Sequence, residues 1–415
     1  MSSVDQPRPV VCAGTPAHTG TLVRQRLAAQ SDVLNADLER LVTTETPSTD
    51  PGSLGRGADV LARWVRQRWP GVEVEQVVGD ATVAGSPEAA TVVRAEIPGS
   101  LPGTVVLLGH HDTVFDTGTI EQRPFSIAEQ TWEGRTRRVA HGPGVFDMKA
   151  GIVLGVHAIA ALDAQGIPRP TVRLLINADE EVGSLGSRGV LVKQSEHALG
   201  ALVLEPGGCT GTLKYARKGV GLWDVNATGI ASHAGLDPER GASAIHALAD
   251  LACHAVSLAD PAVGTTVNVG TFSGGGRANV VAPAARLELD VRARTVREAE
   301  RVEGGLLSWS PADPRVRVTF DGGWNRPPWQ ATDATHALIR VAEQAVAGWG
   351  LSLDLREVGG ASDGNVLADA GITVLDGMGA SGDGAHAAHE YAVLDDMPER
   401  AGLLAAVVAH WPCAG

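Results

Sequence analysis

The sequence predicts an α/β protein with a mostly parallel sheet, helices on both faces of that sheet, and a smaller inserted α+β domain. Three short apolar runs have the length and composition of buried strands: Thr104–Leu108, Val172–Ile176 and Ala201–Leu204. A helix is predicted over Ala150–Leu162, between the first two runs. Because strands that alternate with helices form parallel sheets covered on both faces, this order predicts the main domain.

Helical periodicity also marks the two ends of the chain. Apolar residues recur at helical spacing over Thr21–Thr43 and again over Ala58–Trp69. A further helix is predicted over Asp333–Trp349, after a break at Arg326-Pro327-Pro328. We therefore expect both ends of the chain to belong to the main domain.

The sequence pattern changes at about residue 216. Gly221–Thr228 and Ala285–Ala293 alternate apolar and polar residues, which is typical of half-exposed antiparallel strands. A helix is predicted between them, over Ala242–Leu258. The predicted domains are therefore residues 1–215 together with 326–415, and the inserted residues 216–325.

Composition narrows the class of protein. A chain of 415 residues is too long for one typical core, and 44% hydrophobic residues is ordinary for a soluble protein. The net charge of −14 argues against a nucleic-acid or anionic-membrane partner. We find no secretory signal and no apolar stretch of the ~20 residues that cross a bilayer. The cysteines form no CxxC pair, which favours a reducing compartment and predicts a cytoplasmic protein; they are Cys12, Cys209, Cys253 and Cys413.

Carboxylate and imidazole side chains cluster near the predicted strand ends. They are His110 and Asp112 in GHHDTV, Glu180 and Glu181 in NADEEVGS, Glu205 in VLEPGG, Asp147 in GPGVFDMKAG and His386 in GDGAHAAHE. Open parallel sheets build their sites beyond the carboxyl ends of strands, so this placement predicts one shared site. Carboxylates gathered there would repel each other unless cations offset their charge. Imidazole with carboxylate is a ligand set for Zn²⁺, with Co²⁺ or Mn²⁺ as alternatives.

These segments, together with ASHAG at Ala231–Gly235 and NVVAP at Asn279–Pro283, resemble a known group of enzymes. It is the carboxypeptidase G2, aminoacylase-1 and succinyl-diaminopimelate desuccinylase group of the M20 metallopeptidases. The motifs occur in the same order over about residues 30–410, which is far more specific than any single motif. The resemblance implies a zinc-peptidase catalytic domain with an inserted lid and dimerisation domain.

The resemblance implies a site with two divalent metal ions. His110 and Glu205 would hold the first ion, Glu181 and His386 the second, and Asp147 would bridge the pair. Asp112 corresponds to a carboxylate that orients the imidazole of His110. Glu180 corresponds to the general base, which takes a proton from the attacking water and passes it to the leaving amine.

The resemblance also assigns roles within the inserted domain. It implies a homodimer formed through residues 216–325, in which His233 reaches the active site of the partner subunit and stabilises the oxyanion. Asn279 and Arg292 correspond to residues that hold a substrate carboxylate, a task that suits the planar guanidinium of arginine. Gly360 belongs to a glycine-rich turn that faces the substrate.

The assignments of His386, Arg292 and His233 have alternatives, and that for His233 is an exposed loop histidine without a role in catalysis. His389 competes with His386 for one ligand position, and Arg292 could instead pair with its strand neighbour Asp290. His111 is assigned to packing, because members of the group usually carry an apolar or variable residue at that position.

The resemblance implies hydrolysis of an amide bond next to a free carboxylate, which releases a C-terminal amino acid from a small peptide or an N-acyl group. Glu205 supports this, because carboxypeptidases and deacylases of the group tend to carry Glu there and aminopeptidases tend to carry Asp. An N-acyl-amino-acid deacylase in a specialised pathway uses the same catalytic residues and is the alternative. A non-catalytic binding protein would predict loss of Glu180 or of a metal ligand, and none is lost.

Overall fold

The computed structural model describes residues 14–80 and 90–412 and divides into two compact units. Within those limits, the first unit comprises Met1–Tyr215, Ala331–Arg356 and Ala370–Gly415, and the second comprises Ala216–Gln330 and Glu357–Asp369. The N-terminal segment tested for a secretory signal, with Cys12, and also Cys413 lie outside the described residues.

The helices, in chain order, are α1 (Pro16–Ala28), α2 (Ser31–Thr43), α3 (Pro51–Arg68), α4 (Thr119–Gln122), α5 (Ala150–Ala164), α6 (Arg188–Ser195), α7 (Ala244–Ser257), α8 (Val296–Leu307), α9 (Asp333–Val346), α10 (Asp363–Asp369) and α11 (Met397–Ala409). The strands are β1 (Val74–Val78), β2 (Thr91–Ile97), β3 (Leu101–His110), β4 (Ser126–Trp132), β5 (Arg135–His141), β6 (Pro170–Asn177), β7 (Gly200–Val203), β8 (Thr212–Arg217), β9 (Gly219–Thr228), β10 (Thr266–Gly274), β11 (Ala284–Ala293), β12 (Arg317–Arg326), β13 (Asp354–Val358), β14 (Val374–Leu375), β15 (Gly382–Asp383) and β16 (Tyr391–Val393).

A six-stranded sheet forms the centre of the first unit, in the order β1-β2-β6-β3-β7-β14. Strands β6, β3, β7 and β14 run parallel, while β1 and β2 are antiparallel at one edge. The three strands expected from apolar runs are β3, β6 and β7, so the predicted mostly parallel sheet is confirmed. A second sheet of the same unit contains β15, β16, β5 and β4.

Helix α5 lies in the core of the first unit, and all but a few of its residues are buried. The stretch Val145–Ala164 is apolar enough to cross a membrane by length and composition, with a mean hydropathy of 1.6. Our expectation that no stretch reaches this length was therefore wrong. Since 89% of the stretch is buried within the protein, it has the burial of a core helix.

The segment Thr21–Thr43, expected to form one helix, is broken into α1 and α2. Gln30 leaves the helical conformation, with φ −116° and ψ 19°. Helix α1 packs mainly on α11, whereas α2 packs on α5. One straight helix could not follow both partners, so tertiary packing overrides the continuous periodicity.

The second unit is a four-stranded antiparallel sheet in the order β10-β11-β9-β12. Buried residues from α7 and α8, including Leu248 and Val302, pack with Val225 and Leu287 from the sheet. The strands predicted by alternation are β9 and β11, and the helix predicted between them is α7.

The boundaries of the second unit differ from those expected. Besides the predicted residues 216–325, this unit takes in residues 326–330 and 357–369. The reason lies in long-range hydrogen bonds: Asn365 Nδ2 donates to the carbonyl oxygens of Lys218 and Pro327, at 3.2 Å and 2.8 Å. Such contacts between distant segments have no signature in the local sequence.

Candidate metal centre

The carboxyl ends of adjacent parallel strands place the first donor groups side by side. Strand β3 ends at His110, which is paired in register with Asn177 at the end of β6. The turn that follows β6 carries Glu180 and Glu181, and Glu205 follows β7 by two residues. Since β6 and β7 flank β3 on opposite sides, carboxylates approach the imidazole from two neighbouring strands.

All five predicted metal ligands converge in the first unit. His110 Nε2 lies 3.2 Å from Asp147 Oδ1 and 3.5 Å from Glu205 Oε1. His386 Nε2 lies 2.9 Å from Glu181 Oε2 and 3.5 Å from Asp147 Oδ2. Asp147 therefore stands between the two imidazoles and presents one oxygen to each.

The donor atoms form two overlapping groups of three. One group contains His110, Glu180 and Glu205, and the other contains His110, Asp147 and Glu181; within each group the donor atoms lie within 4.8 Å of one another. Nitrogen and oxygen donors at this spacing suit a small divalent ion. Glu180, predicted as the general base, is thus close enough to serve as a ligand as well.

The electrostatics of the centre favour positive charge. Burial alone would lower the pKa of His110, but hydrogen bonds to carboxylates, first that of Asp112, raise it well above its usual value. Hydrogen bonds to carboxylates, first that of Asp147, raise the pKa of His386 to about 10. Burial alone would raise the pKa of Asp147, yet the two imidazoles hold it below its usual range. The carboxylates thus stabilise positive charge on both imidazoles, and divalent cations could supply that positive charge in place of the protons. The residues therefore fit the implied metals.

Asp112 joins the His110 imidazole to the turn that carries the glutamates. This carboxylate is fully buried, and its Oδ1 lies 3.4 Å from His110 Nδ1. Its two oxygens also accept hydrogen bonds from the backbone N–H groups of Glu180 and Glu181, at 3.2 Å and 3.1 Å. Ser48 Oγ donates a further hydrogen bond to Asp112 at 2.8 Å, a contact that the sequence did not suggest.

Of the two histidines in the last motif, His386 lies in the centre. It makes the ion pairs with Glu181 and Asp147 and has a positive φ of 64°. Within residues 14–80 and 90–412, His389 makes none of the ion pairs of this cluster. The geometry therefore favours His386 for the contested ligand position.

Glu390 supports the loop that carries Asp147, a contribution that sequence reasoning missed. Its side chain accepts hydrogen bonds from the backbone N–H groups of Gly144, Phe146 and Asp147, at 2.8, 2.9 and 3.0 Å. Burial raises the pKa of Glu390 to about 7, even though these N–H groups favour the charged form. The only signal in the sequence was its place in the same motif as His386.

Replacing Glu390 with glutamine is expected to weaken metal binding about 10- to 100-fold, as for other residues that orient ligands. One carboxylate oxygen would become an NH₂ group, which cannot accept the hydrogen bond from a backbone N–H. The loop would then hold Asp147 less firmly. Titration of the metal-free chain with Zn²⁺ measures the change in Kd.

Asp395→Asn is the matched control for this substitution. Asp395 also accepts from a backbone N–H, that of Arg138 at 2.8 Å, but it does so away from the metal centre. We expect its metal affinity to stay at the level of the unsubstituted chain. Equal affinity in both variants would show that Glu390 does not position the Asp147 loop.

The other four predicted site residues lie in the second unit. His233 and Asn279 are neighbours, because Ala234 N donates to Asn279 O at 3.0 Å, and both residues are exposed. Arg292 binds Asp290 through two hydrogen bonds of 2.7 Å and 2.6 Å, which is the alternative pairing considered from the sequence. The carbonyl oxygen of Gly360 accepts from Arg217 Nη1 at 3.1 Å. Their roles toward a substrate stay predictions.

Comparisons with known proteins identify similar peptidases. A family model described as Peptidase family M20/M25/M40 matches residues 106–410. The chain is 30% identical over 388 residues to carboxypeptidase G2 from Pseudomonas sp. (strain RS-16). The matched region covers 89% of this chain and 87% of that relative.

Two solved structures share the fold. Aminopeptidase PepT from Bacillus cereus ATCC 10987 matches with a TM-score of 0.71 at 23% identity, over 91% of this chain and 98% of that one. The YXEP protein from Bacillus subtilis, described as a dinuclear metal binding peptidase, matches with a TM-score of 0.60 at 16% identity, over 92% and 98% of the two chains. At these identities the likeness concerns the fold alone.

Proposed function

Since the chain belongs to peptidase family M20/M25/M40, a family of metal-dependent hydrolases, we propose that it cleaves an amide bond next to a free carboxylate. The reaction would release a C-terminal amino acid from a small peptide or from an N-acyl group. The observation that carries this proposal is the convergence of five donor residues in one cluster, which extends from the buried His110 to the exposed His386; they are His110, Asp147, Glu181, Glu205 and His386.

Two Zn²⁺ ions are the cofactors of the proposed reaction, with Co²⁺ or Mn²⁺ as alternatives. His110 and Glu205 would hold one ion, Glu181 and His386 the other, and Asp147 would contact both. The two Asp147 oxygens that face different imidazoles support the bridging assignment. When bound, the ions would act as Lewis acids toward the scissile carbonyl group. The dinuclear metal binding ascribed to the YXEP protein agrees with this number of ions.

Glu180 is the general base of the proposed reaction. Its backbone N–H is held by Asp112, and its carboxylate lies among the donors around His110 and Glu205. From this position it would take a proton from water as the new C–O bond forms at the carbonyl carbon. It would then give that proton to the amine nitrogen as the C–N bond breaks, so the products are a carboxylic acid and a free amine.

Two residues, Glu205 and Arg292, support the preference for a free carboxylate on the substrate. In the first unit, Glu205 matches the carboxypeptidases of the family, and the 30% identity to carboxypeptidase G2 supports the same substrate class. In the second unit, Arg292 offers a planar guanidinium. Asp290 already binds that group in the protein alone, so a substrate carboxylate would have to compete with Asp290.

A homodimer formed through residues 216–325 completes the proposal. The exposed His233, with Asn279 beside it, would act in the active site of the partner subunit. The position of strand β10 at one edge of the four-stranded sheet is compatible with a contact to a second copy.

The test is the release of free amino acids from a panel of dipeptides and N-acyl amino acids by the metal-loaded protein. We expect release from substrates with a free C-terminal carboxylate and none from their C-terminally amidated counterparts. The ranking of acyl groups against peptidyl groups separates a carboxypeptidase from a deacylase. The Glu180→Gln protein, prepared in parallel, controls for contaminating peptidases.

Equal hydrolysis of free and amidated substrates would overturn the proposed carboxylate requirement. Release that depends on a free N-terminal amine would instead indicate an aminopeptidase. No release from any member of the panel, with metal bound, would favour a specialised amide substrate or a binding protein with this fold.

A further inference from the structure

A small cavity lies beside the metal centre in the first unit, and the proposed chemistry does not use it. Its surface is mostly apolar, with contributions from Leu41, Leu61 and Ile152, and the polar residues His111, Lys149 and Thr46 also line it. The space open to a water molecule is about 10 Å³, which is roughly what a single water needs.

His111 enters this cavity without hydrogen-bond partners. Its residue is 3% exposed, and neither Nδ1 nor Nε2 contacts a donor or acceptor of the protein. A neutral imidazole carries one N–H donor and one acceptor in either tautomer, so both tautomers leave both functions unmet. Buried polar groups in native proteins are nearly always paired with protein or with ordered water. The imidazole therefore requires a partner that the protein does not supply.

Lys149, which also lines the cavity, makes fewer hydrogen bonds than its ammonium group can donate. The residue is 2% exposed, and its Nζ donates to the carbonyl oxygen of Thr44 at 2.9 Å. An ammonium group carries three N–H donors. Within the described part of the chain, the hydrogen bond to Thr44 is the one that Lys149 Nζ makes. Leaving the remaining donors of a buried charge unmet is costly, so the ammonium also requires a further acceptor.

We propose that this cavity is a binding site for one ordered water molecule that bridges Lys149 Nζ and a ring nitrogen of His111. The water accepts a hydrogen bond from the ammonium and forms a second one with the imidazole. Thr46 Oγ1, which donates to the carbonyl oxygen of His111, has lone pairs available for a third. Three polar partners are typical of a buried water.

This water would join two segments that carry metal ligands. His111 directly follows His110 at the end of β3, and Lys149 follows Asp147 by two residues at the start of α5. Lys149 also reaches the end of α2 through Thr44. His111, assigned to packing from the sequence, would thus tie the strand end to the Asp147 loop through a solvent molecule.

The melting temperature of His111→Leu, measured with divalent metal in excess, distinguishes a hydrated cavity from a dry one. If a water bridges the two groups, the substitution removes one of its partners, and we expect the melting temperature to fall by about 2–5 °C. If the cavity is dry, an apolar side chain of similar size removes two unpaired nitrogens, and the melting temperature should stay level or rise. A level or raised melting temperature would overturn the proposal.

A double-mutant cycle with Lys149→Met separates the loss of a water bridge from a fall in melting temperature caused by poor packing of the leucine at position 111. A shared water predicts that His111→Leu costs much less in the Lys149→Met chain than in the unsubstituted chain. Equal losses in the two backgrounds would overturn the bridge.

A crystal structure of the full, metal-loaded chain tests the site without substitution. We expect a density peak within hydrogen-bond distance of both Lys149 Nζ and one ring nitrogen of His111, at full water occupancy. An empty cavity, a peak that contacts only one of the two groups, or a bound anion in place of water would each overturn the proposal.

Discussion

Replacing Glu180 with glutamine is expected to lower turnover by about 10²–10⁴-fold, the usual contribution of a general base, without loss of bound metal. An amide cannot take up the proton that the carboxylate accepts. The shape of the side chain is kept, and the backbone N–H of residue 180 keeps its hydrogen bond to Asp112. Steady-state kinetics gives kcat, and elemental analysis of the same sample gives the metal content.

Glu196→Gln is the matched control, because Glu196 is an exposed glutamate just after α6. Its kcat should equal that of the unsubstituted enzyme. Near-normal turnover in Glu180→Gln would remove Glu180 from the role of base. Loss of metal together with activity would instead assign Glu180 as a metal ligand. Its position beside His110 and Glu205 supports that alternative.

Removing divalent ions with a chelator is expected to abolish hydrolysis and to lower the melting temperature, and Zn²⁺ should restore both. Without cations the carboxylates of Asp147, Glu181 and Glu205 repel one another in a partly desolvated site. A ligand that binds only the folded state, at 100 times its Kd, stabilises that state by about 2.7 kcal/mol per site. Full activity after verified metal removal would end the two-metal proposal.

Metal affinity should also increase with pH, because the histidine ligands must lose a proton before they bind the ion. In the metal-free centre the pKa of His386 is raised to about 10, so this imidazole is protonated at neutral pH. An incoming ion must displace that proton, and its apparent affinity therefore increases with pH, roughly tenfold per pH unit for each proton displaced. Titrations with Zn²⁺ at two pH values on either side of neutrality measure the slope. A slope of zero would argue that His386 is not a ligand.

Much of this centre can be predicted from the amino-acid sequence, because local patterns place its residues at strand ends. An apolar run followed by a polar residue predicts both the strand and the point where it leaves the sheet. His110 and Glu205 follow this pattern, and the parallel sheet brings them together. The family resemblance, now confirmed, contributed His386, which no strand pattern selects.

The supporting contacts could not be predicted in the same way. Glu390 approaches the Asp147 loop across more than 240 residues of sequence, and the bond from Ser48 to Asp112 spans 64 residues. Ser48 lies in none of the motifs, and Glu390 was visible only as the last residue of the motif that contains His386. The pairing of Arg292 with Asp290, by contrast, was visible as an alternative, because residues two apart on a strand lie on the same face.

The fold class, the central strands and helices, and the side chains that can bind metal could be read from the amino-acid sequence, because these depend on periodicity and on residue chemistry. Three features became visible only in the folded structure: which carboxylate faces which imidazole, which buried groups hold the Asp147 loop, and which residues of 326–369 join the second unit. Those outcomes depend on hydrogen bonds and packing between segments distant in the chain. Such contacts form only when the whole chain has folded, so no local pattern encodes them.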